Sequence, residues 1–335
     1  MNVAANTQTV SVIIPVHNGG AQFRQCLASL TKASSTADEI IVVADGDSDG
    51  SWILAQELGI KVIRLPQSQG PATARNRGAK EAQGDILFFV DADVEIYPET
   101  IGKVGKFLAE NPDFAALIGS YDDAPGASNF LSQYKNLFHH YTHQNGAEEA
   151  FTFWGACGAI RRDIFLKMGG FDESYRRPCI EDIELGYRLK EAGYRIKLCK
   201  DIQVKHLKRW GVISLIRADF FYRALPWSEL ILRDRRLTND LNLNWTNRAS
   251  IILVYALLGS LVTAWWWLPI LFISCSLSLA LLIINAPVYQ FFYNKRSGLF
   301  ALAVIPWHWL YYFYSGLAFA IGLIRYPSAL FTLNG

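Results

Sequence analysis

Two carboxylates follow directly on a short apolar run, at a spacing that could bind a metal ion. The run ILFFV (residues 86–90) is too short for a helix and rich in Phe, which predicts a buried strand. Asp91 and Asp93 come next, where the carboxyl edge of an open α/β sheet would bind ligands. A hard divalent ion such as Mg²⁺ or Mn²⁺, which also bridges a diphosphate, suits two neighbouring carboxylates. The alternative is an exposed Asp pair in a turn.

A second acidic pair precedes an amphipathic pattern. Glu181 and Asp182 come just before a helical stripe that carries Leu185 and Leu189. Both acids would fall at or near the helix N-terminus, where the helix dipole favours the ionised carboxylate. Because a general base must be ionised, this pair is a candidate proton acceptor.

Histidines and cysteines are the other candidate metal ligands in the sequence. His139, His140 and His143 are spaced for neighbouring helical turns, which allows a metal cluster, although such histidines are more often surface or packing residues. The five cysteines are odd in number, far apart and without a C-x-x-C motif. They predict a reducing compartment and argue against a zinc site or disulfide framework. The N-terminal MNVAANTQTV lacks the features of a signal peptide.

Apolar strands alternate with helices in the first part of the chain. The strands are predicted at residues 10–15, 40–44, 61–65 and 86–90. This alternation predicts parallel crossovers and a doubly wound α/β sheet. The loop after the first strand is PVHNGG rather than G-x-G-x-x-G, which argues against a dinucleotide-binding domain. An EF-hand is also disfavoured, because Gln56 stands where the loop after the second strand would need a Glu.

Four motifs in order carry a family resemblance. SVIIPVHNGG, IIVVADGDSDGS, GPATARNRG and ILFFVDADVE resemble the successive nucleotide-sugar motifs of family 2 glycosyltransferases with the GT-A fold. The likeness continues through GGFD (169–172) and IEDIEL (180–185) and covers roughly residues 10–210. It implies a catalytic GT-A domain over residues 1–210, with a doubly wound, mostly parallel sheet. Residues 1–120 would form the nucleotide-sugar half and 121–210 the acceptor half.

The resemblance assigns residues to the donor and the metal. Nucleotide-sugar binding falls to Pro15, Asn18, Asp45, Arg75 and Asp91, and binding of Mg²⁺ or Mn²⁺ to Asp93 together with Asp91. Asp45 matches the carboxylate that hydrogen-bonds the nucleotide base, although Ala44 stands where many relatives have a first acid. Arg75 matches a position near the diphosphate or ribose, and a solvated helix face is its alternative.

The resemblance also assigns an inverting mechanism and an acceptor cleft. Asp182 would be the general base, and acceptor binding falls to Trp154, Gly155, Glu181, Arg209 and Trp210. Aromatic residues offer flat faces on which sugars stack, but a packed core Trp is an alternative for Trp154. The segment HLKRW (206–210) resembles the Q-x-x-R-W motif of processive synthases, with His206 in place of Gln. This departure argues against processive polymerisation, and His206 could instead complete the metal site.

The last third of the chain has the composition of a membrane region. No acidic residue follows Asp240, and the uncharged runs 249–268, 270–286 and 299–324 predict about three transmembrane helices within residues 249–335. Residues 211–248 predict a basic interfacial helical segment, which includes Arg233, Arg235 and Arg236. Basic residues on one side of the spans predict a multi-pass protein of a bacterial inner membrane with a cytoplasmic catalytic domain. A buried soluble core is disfavoured, because residues 249–324 carry only two charges.

Together these patterns predict a membrane-bound inverting glycosyltransferase. The expected donor is a UDP-hexose or related nucleotide sugar, and the expected acceptor is a lipid-linked or membrane-proximal hydroxyl. Nucleic acid is not an expected partner, because the basic segment lies next to an apolar one and therefore suits a membrane surface. Two rivals remain, namely a processive polysaccharide synthase and a non-catalytic scaffold that binds nucleotide sugar.

Overall fold

The computed structural model describes residues 8–235 and 237–325. The N-terminal segment MNVAANTQTV, which lacks the features of a signal peptide, lies partly outside the described residues, as do Arg236 and the last ten residues of the expected membrane region. The chain divides into two compact units, Met1–Trp210 and Gly211–Gly335.

The first unit has a central sheet with helices. The strands are β1 (Val10–Val16), β2 (Glu39–Asp45), β3 (Lys61–Leu65), β4 (Ile86–Val90), β5 (Val94–Ile96), β6 (Phe114–Tyr121), β7 (Glu149–Ala150), β8 (Cys157–Arg161) and β9 (Arg195–His206). The helices are α1 (Gly20–Thr31), α2 (Ser51–Glu57), α3 (Pro71–Glu81), α4 (Thr100–Glu110), α5 (Phe130–Asn145), α6 (Arg162–Lys167) and α7 (Glu181–Glu191). The strand order is β3-β2-β1-β4-β8-β6-β9-β5, and β7 pairs with β9.

The sheet is mixed rather than mostly parallel. β1 to β4 pair in parallel, as the strand–helix alternation predicted. Beyond β4, however, β8 is antiparallel to both β4 and β6, and β5 and β7 are antiparallel to β9. β5 begins immediately after the Asp91–Asp93 turn, and a parallel neighbour of β4 would need a much longer crossover. The carboxyl ends of β1, β2 and β4 therefore meet at one edge of the sheet.

Strand β4 lies at the centre of the apolar core. All five of its residues are buried, as the run ILFFV predicted. The Phe89 ring packs against Phe153, Phe165 and Phe171, with ring centroids 6.1, 5.3 and 5.2 Å away. These partners come from the later part of the unit. The strand that leads into Asp91 and Asp93 therefore packs against the half of the unit that contains Asp182.

The second unit is helical. It comprises α8 (Val212–Asp219), a π-helical turn (Phe220–Ala224), α9 (Leu225–Asp234), α10 (Trp245–Thr263), α11 (Leu271–Ile284), α12 (Ala286–Lys295) and α13 (Gly298–Arg325), with short 3₁₀ turns at Leu241–Leu243 and Leu268–Ile270. Its core includes Val254, Leu257, Leu281 and Tyr312. Many other large apolar side chains are exposed, among them Trp265 (87%) and Phe272 (81%).

The expectation of three membrane-spanning helices is not supported. Among the described residues, only α10 is long and apolar enough to cross a membrane, and a second span exists only if the bent pair Leu268–Ile284 and Ala286–Lys295 counts as one. That pair bends by 58° at Asn285. Helix α13 is long, but it contains Pro306, His308 and several Tyr and Trp residues, which lower its hydropathy. A multi-pass location is therefore not supported by helix length and composition.

A buried polar cluster surrounds the break between α11 and α12, which falls just before Pro287, a residue without the N–H that would continue the helix. Asn285 is fully buried, and its Nδ2 donates to Ser250 Oγ at 2.9 Å and to the Leu281 carbonyl at 3.0 Å. The Tyr312 hydroxyl lies 2.7 Å from Asn285 Oδ1 and 3.1 Å from Asn247 Oδ1. Buried polar groups need such partners, so this cluster specifies how α10, α12 and α13 pack.

Candidate active site

The expected nucleotide side of the site lies at the carboxyl ends of β1 and β2. Pro15 lies in β1 opposite Val43 and is half-buried. Asn18 is exposed and has a positive φ of 53°, and its Oδ1 accepts a hydrogen bond of 2.8 Å from the Ser48 amide. Asn18 therefore connects the loop after β1 to the acidic loop after β2.

Asp45 is buried beneath the loop that leads into α3. Its carboxylate accepts hydrogen bonds from the Gln69 amide (2.6 Å), the Gly70 amide (2.9 Å) and the Ser68 hydroxyl (2.9 Å). Gly70 has a φ of 96°, and a Cβ there would lie 2.5 Å from the Arg176 carbonyl oxygen. Asp45 thus fixes a tightly packed turn. Its expected contact with a nucleotide base would require some of these donors to move, and that contact stays a prediction.

Arg75 is the buried centre of the site and does not lie on a solvated helix face. Its Nη2 donates to Asp91 Oδ1 and its Nη1 to Glu181 Oε1, both at 2.7 Å, and its side chain is 6% exposed. Burial acts to lower the pKa of the guanidinium, but Asp91, Glu181 and Asp182 outweigh it and raise the pKa above its ordinary value. One permanent cation therefore joins the end of β4 to the start of α7.

The acidic pair at the start of α7 is divided between two roles. Glu181 is buried, and its second oxygen accepts from the Cys179 amide at 2.9 Å. Asp182 is half-buried, and its oxygens accept from the amides of Ile183 (2.8 Å) and Gly155 (3.0 Å). Hydrogen bonds from backbone N–H groups favour the ionised carboxylate. Glu181 therefore supports the structure around Arg75, whereas Asp182 is accessible and chemically suited to accept a proton.

Gly155 allows the close approach of these groups. A Cβ at this position would lie 2.9 Å from Arg75 Cζ and 3.0 Å from its Nη2, so the guanidinium lies against the glycine. The backbone amide of Gly155 itself donates to Asp182 Oδ2 at 3.0 Å. The resemblance assigned Gly155 to the acceptor cleft, and that role stays a prediction; the structure shows a packing requirement for glycine against Arg75.

Asp93 faces a histidine from β9. Its Oδ2 lies 3.6 Å from His206 Nε2, and its side chain is 27% exposed. Burial acts to raise the pKa of the Asp93 carboxyl, but His206 and Lys208 lower it to about 2. His206 itself is buried, stacks on Tyr121 at 4.4 Å between centroids, and has its Nδ1 2.7 Å from Asn136 Oδ1.

The donor set of Asp93 and His206 fits a divalent metal ion, although it is small. Within the described residues, no group of three or more His, Cys, Asp and Glu side chains could hold a metal. Magnesium sites, however, often use one or two protein ligands and take the others from substrate phosphates and water. A carboxylate and an imidazole nitrogen that face each other at 3.6 Å are suitable protein ligands for Mg²⁺ or Mn²⁺. Asp91 is less available, because Arg75 occupies its Oδ1.

The three histidines of α5 are packing residues in this structure. His140 Nδ1 lies 2.7 Å from the Tyr121 carbonyl oxygen, and His143 Nδ1 lies 3.0 Å from that of Gly119. The His139 and His143 rings also contact Trp154, with centroids 4.8 and 5.2 Å away. Trp154 is only 7% exposed, so as placed it packs within this cluster and does not offer an open sugar-stacking face.

The HLKRW segment ends the first unit. Arg209 is exposed, while Trp210 is 9% exposed and held by its backbone, which donates to Ser132 Oγ at 2.7 Å and accepts from Asn129 Nδ2 at 2.8 Å. Trp210 Nε1 is buried and has no hydrogen-bond partner within the described residues. The acceptor-binding roles of both residues stay predictions.

Two contributors to the site were missed in the sequence. Asn136 and Tyr121 both contact the His206 ring. Asn136 lies within a helix and Tyr121 ends a strand, and neither belongs to one of the recognised motifs. The sequence contains no local signal that could have found them, because their role arises from contacts between α5, β6 and β9.

Comparison with known proteins adds a family and a fold. Residues 11–169 match the family model Glycosyl transferase family 2. This is a little under half of the chain, and it contains the D-x-D segment but ends before Asp182 and His206. The family match and the names of the relatives support an enzyme that transfers sugars.

Curated relatives of this chain are named as glycosyltransferases. A probable glycosyltransferase of Bacillus subtilis, YdaM, is 31% identical over 209 residues, which is 56% of this chain and 48% of that protein. A dolichol-phosphate mannosyltransferase of Pyrococcus furiosus is 39% identical over 116 residues (33% and 32%). A pre-mycofactocin glycosyltransferase of Mycobacterium tuberculosis is 28% identical over 225 residues (64% and 46%). The chain thus spans less than half the length of these relatives.

Solved structures share the fold at low sequence identity. S. aureus TarS 1–349 in complex with UDP-GlcNAc aligns with a TM-score of 0.52 and 21% identity over 68% of this chain and 66% of that one. The mannosyltransferase PcManGT from Pyrobaculum calidifontis, in complex with GDP-Man and Mn²⁺, aligns with a TM-score of 0.52 and 18% identity over 93% and 87%. These similarities confirm the predicted α/β GT-A fold with a central sheet.

Proposed function

We propose that this chain is an inverting, metal-dependent glycosyltransferase that moves a sugar from a nucleoside-diphosphate sugar to a hydroxyl acceptor at a membrane. The observation that carries the proposal is the contact of Arg75 with both Asp91 and Glu181 at 2.7 Å. It brings together the two acidic motifs that this reaction needs, one for the leaving diphosphate and one for the acceptor proton. A non-catalytic scaffold would not require both.

The proposed donor is a UDP-hexose or a related nucleotide sugar. Support comes from the family match over residues 11–169 and from the fold shared with proteins solved with UDP-GlcNAc and GDP-Man. Pro15, Asn18 and the loop around Asp45 would surround the nucleotide at the carboxyl ends of β1 and β2. Because Ala44 replaces an acid and the Asp45 carboxylate is engaged, we expect base recognition to use backbone or other polar groups as well.

Asp93 and His206 would hold Mg²⁺ or Mn²⁺. When bound, the ion supplies positive charge that stabilises the departing diphosphate. Asp93 is suited to this role because its low pKa keeps it ionised at neutral pH. Asp91, fixed by Arg75, would contribute mainly by its position next to the ribose, which the resemblance predicted.

Asp182 would act as the general base. Its carboxylate would take the proton from the acceptor hydroxyl as that oxygen forms a bond to the anomeric carbon, while the bond from this carbon to the diphosphate breaks. The amides of Gly155 and Ile183 hold the carboxylate in place. Attack from the face opposite the leaving group inverts the anomeric centre.

The proposed acceptor is lipid-linked or lies close to a membrane. The support is compositional: α10 is long and apolar enough to span a bilayer, and the second unit exposes Trp265, Phe272 and Leu299 at 87, 81 and 82%. Exposed apolar surface of this kind is typical of a membrane or protein interaction site. The basic residues ahead of α10 and in its first turn, among them Arg233, Arg235 and Arg248, would place the first unit on the cytoplasmic side, where basic residues flank membrane spans.

Incubation of the full chain with UDP-sugars, Mn²⁺ and a bacterial lipid extract tests the proposal. We expect lipid-dependent release of UDP and one sugar per lipid by mass spectrometry, with the rate of both reduced by roughly a hundredfold in Asp182→Asn. A long polymer would favour a processive synthase instead. Nucleotide binding without UDP release for any sugar or extract would favour a scaffold. Flotation with liposomes tests the membrane part separately, since a chain that stays at the bottom of the gradient would contradict membrane association.

A further inference from the structure

We infer that Asn136 is a positioning residue that fixes the tautomer of His206 and thereby directs its Nε2 lone pair at Asp93. The inference rests on the proposed metal-dependent transfer and concerns how this chain prepares its cation site. It is carried by the contacts of three buried or half-buried side chains from α5, β9 and the D-x-D turn.

The contact between Asn136 and His206 selects one ring nitrogen. Asn136 is 1% exposed, and its Oδ1 lies 2.7 Å from His206 Nδ1. A carboxamide oxygen can only accept a hydrogen bond, so Nδ1 must carry a proton to form this contact. In a neutral imidazole the other nitrogen, Nε2, then has no proton and presents a lone pair.

In this neutral tautomer the Nε2 lone pair faces the Asp93 carboxylate, whereas a protonated Nε2 would pair with it as a cation, the state in which His206 lowers the pKa of Asp93. Nε2 lies 3.6 Å from Asp93 Oδ2, which is too long for a hydrogen bond. Two acceptors that face each other repel unless a cation lies between them. In metal-binding histidines the second ring nitrogen is usually held by a hydrogen bond, which fixes the tautomer and the ring orientation. Asn136 occupies this position for His206.

Other contacts fix the ring but not its proton. The backbone of His206 pairs with Val94 in the β5–β9 ladder, one residue after Asp93. Tyr121 stacks on the imidazole with an interplanar angle of 8°. These contacts set the position and plane of the ring, and they are indifferent to which nitrogen is protonated. The hydrogen bond to Asn136, 70 residues away in the sequence, supplies that choice.

Binding of Mn²⁺ to the purified full-length chain, followed by the EPR signal of free Mn²⁺ with and without UDP, tests the inference. We expect Asn136→Leu to weaken Mn²⁺ binding by about 10–100-fold, the usual effect of losing such a partner. Asn136→Asp should bind within a few-fold of the original chain, because a carboxylate also accepts from Nδ1–H. Asn129→Leu removes an amide hydrogen bond at the start of the same helix, to Trp210, and should leave Mn²⁺ affinity unchanged.

The variants separate this inference from the proposed function. If Asp93→Asn and His206→Gln bind Mn²⁺ as the original chain does, the metal site itself is wrong. If these two lose binding while Asn136→Leu keeps it, Asn136 does not position His206. If Asn136→Asp loses binding as fully as Asn136→Leu does, the amide donates rather than accepts, and the tautomer assignment is overturned.

A direct measurement covers the case in which Asn136→Leu does not fold. Long-range ¹H–¹⁵N correlation spectra of the unsubstituted chain distinguish the two tautomers of a neutral histidine. We expect the His206 signal to report a protonated Nδ1 and an unprotonated Nε2 with Mg²⁺ present. A protonated Nε2 in the presence of Mg²⁺, in either the opposite tautomer or the imidazolium, would overturn the inference without any variant.

Discussion

Asp91 and Asp93 have different environments, the first beside Arg75 and the second beside His206. Asp91 is held by a buried guanidinium at 2.7 Å, whereas Asp93 faces His206 Nε2 at 3.6 Å. The cation that balances Asp91 is part of the chain, and the gap beside Asp93 suits a cation from outside. Under the proposed function, Asp91 would have a structural role and Asp93 the role of a metal ligand, although they are only two residues apart. The predictions below test this division.

Asp93→Asn should have the largest effect on activity and a smaller effect on stability than the loss of Arg75. We expect turnover to fall by roughly a thousandfold, because a metal ion supplies several kcal/mol of transition-state stabilisation. The free energy of unfolding should fall somewhat at neutral pH, because the lowered pKa of Asp93 means that its ionised form stabilises the fold, and the difference should shrink as pH falls toward about 2. Calorimetry should show weaker Mn²⁺-dependent binding of UDP. Unchanged binding would show that Asp93 is not a metal ligand.

Arg75→Met should show the opposite pattern, with a large loss of stability. Removing one partner of a buried ion pair leaves uncompensated charge and typically costs about 3–5 kcal/mol. Arg75→Lys should also destabilise the chain, because one ammonium cannot reproduce two guanidinium contacts in different directions. The matched control is Arg77→Met on the exposed face of the same helix, where we expect a change within about 0.5 kcal/mol. Urea unfolding measures the free energy of unfolding of all three variants. Equal stability of Arg75→Met and Arg77→Met would show that the ion pairs of Arg75 do not stabilise the fold.

Asp182→Asn should lower turnover by roughly a hundredfold, the usual size of a general-base contribution. Donor affinity should barely change, because the base acts on the acceptor proton. Asp182→Asn should therefore lower kcat alone, whereas Asp93→Asn should also weaken the metal-dependent binding of UDP. Near-normal turnover would reject the base and favour an acceptor such as a phosphate that is already ionised. A matching loss of donor binding would place Asp182 in the nucleotide site.

Gly155→Ala should destabilise the chain less than Arg75→Met does. The new Cβ would lie 2.9 Å from Arg75 Cζ, and overpacking of this kind costs about 1–3 kcal/mol. Gly259→Ala in α10 is the control, because nothing lies within 4 Å of its added Cβ and Ala favours a helix. A Gly155→Ala chain as stable and active as the original would mean that the guanidinium can shift freely.

The smallest expected effect is at Asp49, and it concerns how stability depends on pH. Burial acts to raise its pKa, but hydrogen bonds from Ser51 and the Gly20 amide outweigh it and leave the pKa below its ordinary value. A lowered folded-state pKa stabilises the chain above the ordinary pKa of Asp, and this contribution is lost as pH falls through the folded-state value. Asp49→Asn should therefore reduce stability at neutral pH, and the difference should shrink on acidification. A difference that does not vary with pH would contradict this assignment.

Much of the fold could be predicted from local sequence. Residues 10–15, 40–44, 61–65 and 86–90 were predicted as strands, and β1 to β4 confirm them to within one residue at each end. The helix after Glu181 is confirmed as well. These elements follow from short apolar runs bounded by Gly, Pro and Asp, which depend only on neighbouring residues. The GT-A fold was predicted from the order of four motifs.

The membrane region shows where composition is insufficient. An uncharged run over 270–286 predicted one continuous span, but the helix breaks at Asn285, because Pro287 cannot continue the hydrogen-bond ladder, and Asn285 bonds instead to Ser250 and the Leu281 carbonyl. The run over 299–324 does form a helix, yet its aromatic and histidine content leaves its hydropathy too low for a candidate span. Absence of charge therefore does not determine that a helix crosses a membrane.

By itself, the sequence determined the four parallel strands, the two acidic motifs and the family to which they are similar, because each depends on residues that are close together in the chain. Only the tertiary structure decided which carboxylates remain available. Asp45 is covered by the 68–70 loop, Asp91 is paired with Arg75 across 16 residues, and Glu181 is paired with it across 106. The tertiary structure also placed Asn136 against His206. An acid has the same letter in every environment, and its charge balance, burial and hydrogen bonds come from groups that folding brings to it from elsewhere in the chain.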